Sequence, residues 1–303
     1  MVAKNGYAWW YVDALSDDGR QGITLIAFVG SVFSPYYALA RRLGRAADPL
    51  DHCALNVALY GEKRKCWAMT ERRRGAIRRD AREFVIGPSC IDWDGDALTF
   101  RIDEVTCPLP SRLRGTVRVY PSALTAETFA LDAAGRHHWR PIAACSRVQV
   151  DFQAPTMRWL GGGYFDMNYG EAPLEDDFRG WEWSRAGTRT GTIVSYDTTA
   201  RGSADSASLA LRLDRTGAID RLALPPRARL PSTGWRIART AHSDAQSPPT
   251  VTRTLEDAPF YARSQVSASL FGESVDLVHE SLSLDRFRMP IVQAMLPFRM
   301  PRW

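Results

Sequence analysis

The stretch Gly6-Tyr7-Ala8-Trp9-Trp10-Tyr11-Val12-Asp13-Ala14-Leu15-Ser16-Asp17-Asp18-Gly19 carries the reading of the fold. Tyr7, Trp9, Tyr11 and Asp13 recur at every second position, the period at which side chains of a β-strand share one face. Asp17-Asp18-Gly19 then ends the strand, since Asp bonds to its own backbone and Gly tolerates positive φ. The alternation returns at Leu98, Phe100 and Ile102, at Val117 and Val119, at Val148 and Val150, and at Leu209, Leu211 and Leu213. Between these lie the turn signals Asp94-Gly95-Asp96, Ala133-Ala134-Gly135 and Arg215-Thr216-Gly217. Many short strands without a βαβ rhythm predict an all-β, mainly antiparallel protein built of barrels or sandwiches. Helix is minor: a turn or two within Ser34 to Arg45, with Pro35 at the first helical position, and a segment from Leu284 to Leu296 kinked by Pro290.

A chain of 303 residues has room for two cores. The acidic, turn-rich segment Glu171 to Asp177 is the expected boundary, giving β domains over residues 1–175 and 176–303. The composition, 45% hydrophobic and 24% charged, is that of a globular protein and excludes general disorder. Cys53, Cys66, Cys90, Cys107 and Cys145 are odd in number and lack CxxC spacing, which fits a reducing, cytoplasmic setting. No secretory signal is visible, and the apolar run Ile23 to Tyr37 is interrupted by Gly30, Ser31, Ser34 and Pro35. The net charge of +5 gathers in Lys63, Arg64, Lys65, Arg72, Arg73, Arg74, Arg78, Arg79 and Arg82. Such a run is either a solvated face or an attraction to an anionic membrane surface, and no nucleic-acid-binding motif accompanies it.

Two segments place reactive groups on one face of a strand. His137 and Trp139 are two apart, and Tyr164, Asp166 and Asn168 share a face after the run Gly161-Gly162-Gly163. An Asp among aromatic side chains on an inward face is desolvated, which favours its neutral form and suits a proton donor. The competing reading has Asp166 capping a turn after the glycines, with Tyr164 and Trp139 filling a core and His137 structural. His137-His138 is too close a pair to bind metal unaided, and His52, His242 and His279 lack ligand spacing, so a metal enzyme is disfavoured. Nucleophile elbow, Walker loop and dinucleotide fingerprint are all absent. Trp9, Trp10, Trp139, Trp159, Trp181 and Trp183 fall on strand-like segments. Singly these rings build cores; together they suit a tunnel for a long apolar ligand and can face a cation.

The opening segment, with Ile26 to Tyr37, Asp51 to Val57, Trp93 to Leu98 and Leu174 to Phe178, closely resembles the carotenoid 1,2-hydratases, or hydroxyneurosporene synthases, of photosynthetic bacteria. The resemblance extends over nearly the whole chain. It implies two lipocalin-like β domains, with the site in or beside the first. It also implies addition of water to the 1,2 double bond of neurosporene, lycopene or a related ψ-end carotenoid, with no cofactor and no metal. The family's functional HxW and YxD patterns fall on His137, Trp139, Tyr164 and Asp166. The expected substrate-binding side chains are Trp9, Asn168, Trp181 and Trp183. Family sequences often carry further residues before the Gly6 segment, which bears on closure of the first barrel and leaves these positions untouched. A substrate that lives in the bilayer implies a cytoplasmic protein peripheral to the membrane, docking through Lys63 to Arg82 and the apolar residues Ile291 to Phe298. Two other readings keep the fold: a carotenoid carrier without catalysis, and a cyclase of polyketide-type substrates.

Overall fold

A computed structural model describes residues 2–44, 46–61, 65–202 and 206–303. It divides into two compact units, Met1–Ala130 with Arg136–Pro173 and Ala294–Trp303, and Leu131–Gly135 with Leu174–Gln293. In the first unit the strands are β1 (Tyr7–Ser16), β2 (Gly22–Val29), β3 (Cys53–Tyr60), β4 (Lys65–Arg72), β5 (Ile77–Arg79), β6 (Glu83–Ile86), β7 (Ser89–Trp93), β8 (Leu98–Val105), β9 (Arg112–Pro121), β10 (Phe129–Ala130), β11 (His137–Ala154) and β12 (Thr156–Gly170). They form one antiparallel sheet in the order β4-β3-β2-β1-β12-β11-β9-β8-β7-β6-β5, with β10 beside β11. Arg72 on β4 reaches Glu104 on β8 at 3.1 Å, so the sheet curls into a nearly closed barrel.

The barrel is filled by one face of each strand. Val12 and Ala14 of β1, Ile23 and Leu25 of β2, Leu55 and Val57 of β3, Phe100 and Ile102 of β8, Val148 and Val150 of β11 and Phe165 of β12 belong to one apolar cluster. Each of the Val, Ile, Leu and Phe side chains contributes about 1.5–3 kcal/mol when fully buried. The predicted alternations at 98–102, 117–119 and 148–150 are therefore real strands, and Asp17-Asp18-Gly19 and Asp94-Gly95-Asp96 are the turns between β1 and β2 and between β7 and β8.

The glycine run is a finding that sequence did not anticipate. Gly161, Gly162 and Gly163 lie inside β12 rather than before a strand, and Asp166 is a mid-strand residue rather than a turn cap. A Cβ at Gly161 would stand 1.9 Å from the Leu15 carbonyl oxygen, and one at Gly163 would stand 2.4 Å from Val148 Cγ2. Close approach of β1 and β11 to β12 excludes side chains there. Gly162 points the other way and would meet nothing within 4 Å.

The C-terminal segment groups with the first unit, although it falls in the residues expected to form the second domain. Glu71 of β4 explains this: its backbone bonds Pro301 and Trp303, and its carboxylate lies 3.3 Å from Arg302 and 2.9 Å from His52. Within the acidic segment, Leu174–Asp177 forms a short helix.

In the second unit the strands are β13 (Phe178–Gly187), β14 (Gly191–Ala200), β15 (Ser208–Asp214), β16 (Ile219–Arg221), β17 (Arg227–Arg229), β18 (Thr240–His242), β19 (Thr250–Asp257), β20 (Tyr261–Leu270) and β21 (Glu273–Ser283). Seven make an antiparallel sheet in the order β16-β15-β14-β13-β21-β20-β19, and β17 pairs with β18. Its core gathers Ala186, Ile193, Leu230, Val266, Leu270 and Leu277. The helices follow the sequence signals. Pro35–Arg42 begins with Ser34 accepting the Tyr37 N–H at 2.9 Å, and the terminal segment breaks at Pro290 into Leu284–Phe287 and Pro290–Met295.

Replacing Gly161 by Ala is expected to cost about 1–3 kcal/mol through overpacking. Gly162→Ala should shift stability by no more than about 1 kcal/mol, and in the favourable direction, because it only restricts the unfolded chain. Urea denaturation of the two variants checks the contrast.

Candidate active site

Three neighbouring strands build the site. In the β1–β12–β11 ladder, Tyr7 stands opposite Gly170 and Gly170 opposite His137; Trp9, Asn168 and Trp139 make the next rung. Tyr11, Asp166 and Pro141 follow, and then Asp13 opposite Tyr164. Side chains directly opposite one another share a face of the sheet, so the rows converge on one surface. Trp10, Val12 and Phe165, at the intervening positions, belong to the barrel core or pack against it. The reactive face is thus the one turned away from the barrel's apolar interior, yet it too is buried. Tyr7, Asp13, His137, Trp139 and Tyr164 are at most 1% exposed, and Asp166 is 3% exposed.

Asp166 is the focus of the arrangement. Its Oδ2 accepts the indole N–H of Trp139 at 2.7 Å and the phenol O–H of Tyr164 at 2.9 Å. Rings close around it: Tyr164 meets Tyr11 edge-on at 6.3 Å, Trp139 lies 5.8 Å from Phe129, and Trp9 stacks on Tyr7 at 5.0 Å. Burial, first of all, pushes the Tyr164 phenol, whose O–H Asp166 accepts, well above the usual tyrosine range. Tyr164 is therefore a permanent donor at any physiological pH.

Tyr7 and His137 form a second pair, with Tyr7 Oη 2.9 Å from Nδ1 and the rings stacked at 5.9 Å. Gly170 makes this contact possible. A Cβ on that central rung would stand 2.8 Å from both His137 Nδ1 and Tyr7 Cε1. His137 lies four ladder positions from Asp166, roughly 13 Å of strand, with the Trp9–Asn168–Trp139 rung between.

Of the side chains expected from sequence, Asp166, Tyr164, Trp139, His137, Trp9 and Asn168 come together on this face. Trp181 and Trp183 lie in the second unit on β13, where Trp181 packs 6.1 Å from Tyr196. They alternate with Ser184 and Ala186, and so occupy the face of their own sheet opposite the Ala186 core. Sequence reasoning left out Tyr7, Tyr11, Asp13 and Gly170. The first three were legible as partners of Trp9 in the same alternation; Gly170 was not, because its role depends on pairing with two distant strands. Among the described residues no three His, Cys, Asp or Glu side chains gather as a metal centre requires.

These features define a lipocalin-like β protein with a buried carboxyl group in an aromatic cage. The chain matches the family model described as carotenoid hydratase CrtC over residues 25–303. It is 57% identical over 302 residues to the acyclic carotenoid 1,2-hydratase of Thiocapsa roseopersicina, covering 99% of this chain and 74% of that protein. It is 50% identical over 303 residues to the protein of the same name from Rubrivivax gelatinosus, again covering 99% of this chain and 74% of that protein. The crystal structure of an AttH protein from Nitrosomonas europaea aligns with a TM-score of 0.64 at 15% identity, covering 91% of this chain and 92% of that one, a likeness of fold alone. The chain belongs to the carotenoid hydratase family.

The raised Tyr164 value has a consequence for stability. A folded-state pKa above the unfolded value of about 10 means that the native protein holds its proton longer, so this contribution is whole below about pH 10 and is lost as pH rises further. Urea titrations between about pH 9 and about pH 11 should show wild type losing stability more steeply than Tyr164→Phe.

Proposed function

We propose that this protein is an acyclic carotenoid 1,2-hydratase, a hydro-lyase that adds water across the C1=C2 bond of neurosporene, lycopene or a related ψ-end carotenoid to give the 1-hydroxy-1,2-dihydro product. Family membership supports the reaction, and one observation carries the mechanism: a carboxyl group only 3% exposed, anchored through one oxygen by Trp139 and Tyr164.

Because Oδ2 already accepts two hydrogen bonds, the proton of the neutral acid sits on Oδ1. Asp166 delivers it to C2, which leaves the positive charge on C1, the more substituted carbon. The π electrons of C1=C2 form the new C2–H bond, and a tertiary cation results. The rings of Trp139, Trp9 and Tyr164 line this face, and a desolvated cation over such a ring gains about 2 kcal/mol. Water on the Asn168 rung, between Asp166 and His137, attacks C1. Its surplus proton passes to the His137–Tyr7 pair and returns through solvent to Asp166, so one water is consumed and the acid is regenerated.

The substrate is a hydrocarbon dissolved in lipid, and we place the protein peripherally on the cytoplasmic membrane. Within the basic run, Arg72 pairs with Glu104, Arg74 with Asp48 and Arg78 with Glu83, while Lys63 and Arg64 lie outside the described residues. Three of the nine cations of the run are thus paired with carboxylates. Exposed apolar side chains are the better anchors: Leu109 is 83% and Phe298 77% exposed, and the Cys107 thiol bonds the Phe298 carbonyl at 2.9 Å, holding the two segments together.

In cells that make lycopene or neurosporene, the wild-type protein is expected to yield carotenoid heavier by one water. Asp166→Asn should lower the rate by about 10²–10⁴-fold, the usual share of a general acid. Bound pigment of unchanged mass with the wild type would instead identify a carrier. In flotation with anionic liposomes, Leu109→Ser/Phe298→Ser should reduce binding about tenfold; equal flotation of both proteins would remove the proposed anchor.

A further inference from the structure

The first barrel is not packed to its end. A cavity of about 490 Å³ opens there among Trp10, Phe84, Trp93, Phe100, Ile142 and Phe165. That is within the range of about 300–1,000 Å³ typical of small-molecule sites. It lies on the opposite side of the sheet from the candidate active site, because Trp10 and Phe165 alternate with Tyr11 and Asp166 along β1 and β12. The β1–β12–β11 sheet, bulged on β11 between Pro141 and Ser146, stands between, so the cavity opens on the face opposite the acid.

The rim has a charge that the hydration chemistry does not use. Arg79 lies over the Trp10 ring at 4.6 Å and 5.7 Å from that of Phe84. Arg140 is held by two N–H bonds to the Thr125 carbonyl, at 3.2 and 3.0 Å, and Arg82 completes the group. The two rim acids are otherwise engaged. Asp80 accepts the backbone N–H groups of Arg82 and Glu83, and Glu83 binds Arg78. Among the described residues, no carboxylate pairs with Arg79, Arg82 or Arg140. An adjoining cavity of about 450 Å³ shares Trp10, Arg79 and Arg140, so these side chains stand where two hollows meet.

An apolar, aromatic-walled hollow under three guanidinium groups matches a chain with an anion at one end. A neutral polyene would leave the three cations without an anionic partner among the described residues. We propose that this barrel holds a long-chain amphiphile with a single anionic head, its chain among Trp10, Phe100 and Phe165 and its head bound by Arg79, Arg82 and Arg140. The site is separate from the hydration site and does not rest on the proposed activity.

Native mass spectrometry and calorimetry with monomeric oleate test it on the full chain. One oleate per chain is expected, with oleyl alcohol bound at least about tenfold more weakly for want of the charge-assisted bonds. Arg79→Gln/Arg140→Gln should bring oleate down to the level of the alcohol and leave the alcohol unchanged. Ile142→Trp, which fills the mouth, should exclude both while hydration continues. Lysophosphatidylglycerol, with a phosphate head, identifies the source: tighter binding than oleate points to a membrane lipid, weaker binding to a free fatty acid. Equal affinity for oleate and its alcohol, or oleate binding indifferent to the double substitution, would overturn the proposal. So would loss of hydration in an Ile142→Trp protein of normal thermal stability, since the cavity would then belong to the substrate's own path. Hydration by the wild type without oleate is measured in parallel, so that failure of the activity and failure of the site are read separately.

Discussion

Everything in the first unit depends on the pairing of β1, β12 and β11, because period-two alternation across three hydrogen-bonded strands sorts side chains onto two faces with opposite chemistry. One face contributes Val12, Val148, Val150 and Phe165 to an apolar barrel core. The other contributes Tyr7, Asp13, His137, Trp139, Tyr164 and Asp166, all buried. A slip of one residue in the register of β12 would send Asp166 into the hydrocarbon core and bring Phe165 to the reactive face. The glycines fix that register: Gly161 and Gly163 admit the neighbouring backbones closely, and Gly170 admits the Tyr7–His137 contact.

The same constraint explains why the acid is rigid. Trp139 and Tyr164 come from different strands and meet on a single oxygen of Asp166, so moving either ring breaks one buried hydrogen bond and moving Asp166 breaks both. A buried polar group deprived of its partner costs about 1–3 kcal/mol, which holds the trio together without a ligand. The proton-bearing atom is thereby aimed before substrate arrives. Little reorganisation is then required as charge develops on the carotenoid.

Much of this was legible in the sequence. The alternation Tyr7 to Asp13 predicted β1, and the spacing of His137 with Trp139 and of Tyr164 with Asp166 and Asn168 predicted which side chains share a face. Three things were not legible, each for a physical reason. Glycine weakens strands in general, so Gly161-Gly162-Gly163 read as a run before the strand, although close packing against β1 and β11 demands Gly161 and Gly163 within it. Both faces of the sheet are buried, so composition does not tell the lumen from the reactive surface. The partners that neutralise Arg72, Arg74 and Arg78 include Glu104 and Asp48, from segments distant in sequence, which makes a run of charge look freer than it is.

The central claim is that Asp166 protonates C2 before water reaches C1. Running the reaction in deuterium oxide and locating the label by NMR tests this most directly. The account predicts one non-exchanging deuterium on C2 of every product molecule and a hydroxyl on C1. Product that carries its hydroxyl on C1 but no deuterium on C2 would contradict it, as would full labelling at an undiminished rate by Asp166→Asn.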